Sequence, residues 1–133
     1  MERFALLASS SLGFLAVALG AFGAHGLKAR LAPLADGAQR LEWWNTGSHY
    51  QMVHALALAL VAYLSTRSSS TSVTVAAYAF IAGIVLFSGS LYVMTLTGIR
   101  VLGAVTPFGG LAFLAGWAAV FVSALRLDPR APS

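Results

Sequence analysis

The side chains able to do chemistry are few: His25, His49 and His54, Tyr50, Gln51 and Tyr92, with Ser88, Ser90 and Thr106 among the hydroxyls. Four of them crowd into "SHYQMVHALALAL" at 48–60, where a polar stretch gives way to an apolar run. On a helix, Tyr50 and His54 stand four apart and Gln51 and His54 three apart, so these three share a face. His49 falls about 140° around from His54 and reads as a headgroup-level residue.

Histidines at such a place could bind a metal, carry protons or serve as a base. A helical metal pair needs the i, i+4 spacing, which His49 and His54 do not have. His25 with His54, from neighbouring helices, is a conceivable zinc or haem pair, but two ligands are too few for zinc and no third is evident. Ser88 or Ser90 with His54 would make a nucleophile and base, yet no carboxylate is placed to orient the imidazole. Serines in apolar helices usually bond their own backbone carbonyls. The glycines of "LFSGSLY" are no phosphate loop, because no lysine follows at Walker spacing. The chain has no cysteine, which excludes disulfides, thiolate zinc and thiol catalysis. No catalytic residue, cofactor or metal is therefore assigned, and the expectation is a protein that is not an enzyme. His54 reads first as a neutral hydrogen-bonding residue that fixes helix register, and second as a proton carrier or ligand contact.

The composition says what must position these groups. Hydrophobic residues make up 59% of the chain and charged residues only 9%, against about 25% charged in soluble domains. Such a chain cannot cover itself in water, so part of its solvent is lipid. The net charge is +4, but its basic residues are scattered at the ends of apolar runs. That pattern fits anionic headgroups and excludes nucleic acid as a partner.

Four apolar segments emerge, at about 4–24, 48–65, 73–97 and 105–125, against the roughly 20 residues a span requires. The second is short, and its helix is expected to reach back to about residue 37, with Asp36 as N-cap and Trp43 and Trp44 at headgroup level. The first could instead be a secretory signal, but its apolar stretch exceeds the usual h-region of about 7–15 residues. Loops are expected over 27–36, 66–72 and 97–103, with a mobile tail "DPRAPS". Small residues recur four apart, at Ala16, Gly20 and Ala24, at Ala79 and Gly83, and at Ala112 and Gly116, a spacing that lets helices approach closely in lipid. The fold class is all-α: an integral membrane four-helix bundle forming one domain over residues 1–133. Basic residues tie across the two faces, Arg3, Arg67, Arg126 and Arg130 against Lys28, Arg30, Arg40 and Arg100. The positive-inside rule does not decide between equal faces, and the concentrated termini favour placing both in the cytoplasm.

Four motifs then stand out: "GAFGAHGLK", "YQMVHALAL", "LFSGSLYVMTLTG" and "TPFGGLAFLAGW". In this order they resemble the YgdD-like family of small membrane proteins, which also includes eukaryotic transmembrane protein 256. The resemblance covers nearly the whole chain and implies a four-span protein of the bacterial inner membrane. It brings no activity, since the family's shared domain is one of unknown function.

Depth counting adds to this. Measured from the face of the first loop, Tyr92 lies about 7 Å in, Ser88 about 13 Å and His54 about 6 Å. His25 and Thr106 mark helix ends at the same face. The candidate site is thus a polar cluster in one half of the bilayer: His25, Tyr50, Gln51, His54, Ser88, Ser90, Tyr92 and Thr106. Tyr50, Gln51 and His54 are expected to face the interior and meet Ser88 and Tyr92. The leading expectation is a non-enzymatic structural or accessory protein whose partners are membrane lipid, another membrane protein or a second copy. The alternative is an oligomeric minimal transporter or channel with His54 lining its path.

Overall fold

The computed structural model describes residues 1–127 of the 133. The expected mobile tail at 128–133, with Arg130, lies outside the described residues. Four long helices make up the fold, with no strand among the described residues. They are α1 (Glu2–Leu31), α2 (Gly37–Arg67), α3 (Thr71–Thr97) and α4 (Thr106–Leu125), the last preceded by a 3-10 turn over Arg100–Ala104.

Three stretches are long and apolar enough to cross a membrane: Glu2–Leu31, Thr71–Thr97 and Arg100–Leu125. α2 is not among them, although it is 31 residues long. Its N-terminal half carries Gln39, Arg40, Glu42, Asn45 and His49. What remains beyond Gln51 is shorter than the roughly 20 apolar residues a span needs.

The helix boundaries also differ from the expected ones. α1 does not stop near Ala24 but continues to Leu31 through a π-helical segment, Gly23–Leu27. Leu27 and Leu31 bury themselves against Trp44, and that packing carries the helix past "GAHG". The first loop is accordingly only 32–36. A second π segment, Ile84–Ser88, interrupts α3.

α1 packs on α2, α2 on α3, and α3 on α4, so α1 and α4 form the outer members. α3 changes partner along its length. Its first part, Thr71–Gly83, lies mainly on α4, its last part, Gly89–Thr97, mainly on α2, and the π segment between touches both. The deep core joins Leu58 and Val61 of α2 to Val73, Ala77 and Phe80 of α3 and Phe113 of α4. Apolar surface gains nothing by leaving lipid for protein, so van der Waals fit holds the helices together. The α3–α4 contact shows that fit: the Phe113 ring occupies the space a side chain at Gly83 would need, and the Phe80 ring does the same at Gly116.

α3 ends at Gly98 in the left-handed region, φ 74°. Only glycine adopts that conformation freely, and here the Arg40 guanidinium also packs against its bare Cα.

Candidate functional site: a polar half of the helix assembly

The sequence pattern 44, 47, 51, 54, 58, 61 on α2 steps by three and four, the spacing of one helix face. Trp44, Gly47, Gln51, His54, Leu58 and Val61 are all buried. The polar members of that face sit in its first half, and each engages a different neighbour.

Gln51 bridges three helices. Its Nε2 donates to the Leu12 carbonyl of α1 at 2.9 Å, and its Oε1 accepts from the Tyr92 hydroxyl of α3 at 2.8 Å. Both ends of the amide are therefore used, as a buried amide requires.

His54 is 4% exposed. Its Nδ1 lies 2.7 Å from the Tyr50 carbonyl, and its Nε2 lies 3.2 Å from the Trp117 indole nitrogen of α4. A carbonyl only accepts and an indole N–H only donates. The proton must therefore be on Nδ1 and the lone pair on Nε2, which makes His54 neutral. Its ring stacks on Phe113 with centroids 3.5 Å apart and planes 8° from parallel.

Ser90 pairs with Thr106 at 2.8 Å and donates to the Phe87 carbonyl, joining α3 to the start of α4. That approach requires Gly109, where any Cβ would run into the Phe87 backbone. Trp44 donates its indole N–H to the Leu19 carbonyl at 2.7 Å and lies 4.6 Å from the Tyr92 ring.

The structure thus joins Gln51 to Tyr92 and Ser90 to Thr106, but it does not assemble all eight predicted residues. His54 turns to Phe113 and Trp117 rather than to Ser88 or Tyr92. Ser88 is fully buried, and its hydroxyl has no hydrogen-bond partner. Tyr50 is 40% exposed, its ring lying 4.5 Å from Phe87. His25 is exposed on α1 and takes no part in the set. Among the described residues, no three His, Cys, Asp or Glu side chains are grouped to hold a metal.

Sequence reasoning missed three participants. Trp44 was expected at headgroup level, but it is interior, because α1 continues past Gly23 and covers it. Trp43 alone keeps an outer position, half-buried with Arg100 over its ring at 5.7 Å. Trp117 was a motif residue without a partner, yet it is the donor to His54. Thr95, fully buried, donates to the Arg40 and Leu91 carbonyls and pins α3 to the start of α2.

At the loop face, Asp36 occupies the N-cap position of α2 without a side-chain capping bond. Its carboxylate pairs instead with Arg40 at 3.0 Å and more loosely with Arg100 at 3.7 Å. Arg40 beside it, with the more distant Arg100, holds the Asp36 carboxyl below its ordinary value of 3.8.

Comparison with known proteins agrees with this picture of a membrane chain. The family described as "Protein of unknown function (DUF423)" matches residues 19–110. The UPF0382 membrane protein YwdK of Bacillus subtilis (strain 168) is 46% identical over 127 residues, covering 95% of this chain and 98% of its own length. The UPF0382 inner membrane protein YgdD of Escherichia coli (strain K12) is 42% identical over 132 residues, 99% of this chain and 97% of its own. The UPF0382 membrane protein SH2409 of Staphylococcus haemolyticus is 41% identical over 112 residues, 84% of this chain and 87% of its own. No solved structure matches. With this coverage, the chain belongs to the DUF423 family of membrane proteins of unknown function.

Proposed function

We propose that the chain is a four-span protein of the bacterial inner membrane, with α2 as its fourth span, and that it serves as a non-enzymatic accessory protein. The observation that carries this reading is how the interior polar groups are used. Gln51, Tyr92, His54, Trp117, Ser90 and Thr106 bond to one another or to backbone across helices. Groups committed in this way hold helices in register, and Ser88, whose buried hydroxyl has no partner among the described residues, is not bonded to His54 or to another base. Binding then falls to the surfaces around the cluster, toward lipid or toward another membrane protein. α2 can act as a span because Gln51 and His54 are buried among the other helices. Gln39, Glu42, Asn45 and His49 are exposed on its first turns, which would lie at headgroup level.

Extraction in a mild detergent followed by identification of bound proteins and lipids tests the accessory role. A reproducible lipid or membrane-protein companion is expected, and purified protein that turned over a substrate unaided would refute the reading. Light scattering of the same sample bears on the oligomeric transporter, which a strict monomer removes. Phosphatase and fluorescent reporters fused at Ser133 test the span count and orientation: fluorescence without phosphatase activity is expected, for both termini in the cytoplasm.

A further inference from the structure

Beside the polar cluster a groove of about 630 Å³ runs between α2 and α4. Val53 and His54 line it from α2, Leu111, Leu114 and Trp117 from α4, and Phe87 from α3. Val53, Leu111 and Leu114 are exposed, so the groove opens sideways, toward the membrane. We propose that it holds one acyl chain of a phospholipid from the leaflet next to the first loop, an assignment that rests on the membrane-embedded reading above.

Its chemistry selects a hydrocarbon. The polar groups of its inner wall satisfy one another, since the Trp117 N–H is given to His54 Nε2 and the His54 Nδ1–H to the Tyr50 carbonyl. Apart from the Tyr50 hydroxyl at the outer end, the lining side chains offer a headgroup no further donor or acceptor. Polar side chains gather instead at the outer end, where Tyr50 lines both this groove and a smaller adjoining hollow with His49.

Its length selects one leaflet. From Pro107 at the outer end to Trp117 at the inner end, α4 rises about 15 Å, half of the roughly 30 Å hydrocarbon core. The inner end is barred by Trp117, which reaches from α4 to His54 of α2 at 3.2 Å and packs edge-on to Phe80 at 5.2 Å. A transmembrane helix of a second copy would have to continue through that stop. A single acyl chain ends there.

Photolabelling tests this in the full chain, reconstituted in phosphatidylethanolamine and phosphatidylglycerol vesicles. The probe is a phosphatidylcholine carrying a diazirine midway along one chain. Label is expected on Val53, Leu111 and Leu114, which are 39%, 62% and 67% exposed, well above Phe14 of α1 and Phe121 of α4, which are 75% and 65% exposed. Gly110 lines the groove, and a Cβ there meets nothing within 4 Å, so Gly110→Phe fills it from within. Groove labelling should then fall to the level of Phe121, because the phenyl ring takes the space of the chain, while Phe14 labelling is unchanged. Leu114→Trp, at a side chain 67% exposed, repeats the test if Gly110→Phe does not fold. Even labelling of all exposed faces, groove labelling that survives both variants, or cross-links between two copies through the groove would overturn the proposal. Loss of groove labelling with a membrane-protein companion still bound would sink the groove alone. Intact labelling in a protein that carries out catalysis would sink the accessory reading alone.

Discussion

Trp117 donates its indole N–H to the unprotonated nitrogen of His54, across from α4 to α2, at 3.2 Å. Few other interactions near the cluster reach directly from α2 to α4. It also decides the tautomer of the histidine, and so determines what a replacement at position 54 must supply.

His54→Leu removes that acceptor and the stack on Phe113. A hydrogen bond between membrane helices contributes about 0.6 kcal/mol and an aromatic stack about 0.5–1.5 kcal/mol. The expected loss is therefore about 1–2 kcal/mol. His54→Lys should be worse, since it presents a donor and a charge to the Trp117 donor. His49→Leu, at an exposed position, should change little. Thermal unfolding of the three variants in one detergent checks the order, and damage from His49→Leu equal to that from His54→Lys would contradict it.

Gln51 and Tyr92 should be energetically coupled. Tyr92→Phe alone loses the 2.8 Å bond and leaves Gln51 Oε1 unpaired. In a Gln51→Leu background the same change has nothing left to break. A double-mutant cycle should return a coupling of about 0.6 kcal/mol, and additivity within error would show that the bond does not form in the membrane.

The adjacent glycines of "TPFGG" should respond in opposite ways. Gly109→Ala drives a methyl into the Phe87 backbone, whereas Gly110→Ala points into open space. Overpacking of this kind costs about 1–3 kcal/mol, so Gly109→Ala should lower the unfolding temperature and Gly110→Ala leave it unchanged. Equal effects would mean that α4 does not approach the π segment of α3 as described.

Asp36 sets an acid limit on the loop face. Its carboxyl is held below 3.8 chiefly by Arg40. A depressed acid stabilises the fold above its unfolded value, and that contribution is lost as pH falls through the folded value. Hydrogen exchange of the 32–40 segment should therefore speed up only below about pH 4. In Asp36→Asn the segment should exchange fast at neutral pH, with no further acid step. An acid step that persists in Asp36→Asn would assign it to another group.

Much of this was legible in the sequence because the bilayer restricts the choices. Apolar length located α1, α3 and α4, and the small residues at Gly83 and Gly116 marked the place where two aromatic rings settle. The stepping of Trp44, Gly47, Gln51, His54 and Leu58 by three and four already placed Trp44 on the inner face. An interfacial reading of the "WW" pair concealed it. What periodicity could not show was where it breaks. The spacing of four put Tyr50 on the face of His54, and depth counted at a fixed rise per residue put Ser88 in the same cluster. On α2, which has no π segment, the buried face runs through Gly47, Gln51, His54 and Leu58 and leaves Tyr50 at its edge. The π segment at 84–88 breaks the count on α3, where Ser88 is buried without bonding His54.

The segment Ile84–Ser88 makes α3 a helix in two phases. Each residue in a helix turns the chain by about 100°, and a π turn takes up more residues than an α turn. Everything after Ser88 is thus rotated relative to everything before Ile84. The earlier phase aims Phe80 at α4, and the later one aims Tyr92 and Thr95 at α2. The wide turn therefore acts as a frame setting. Losing a single residue from it would swing Ser90, Tyr92 and Thr95 off Thr106, Gln51 and the Arg40 carbonyl together, with every one of those side chains still present.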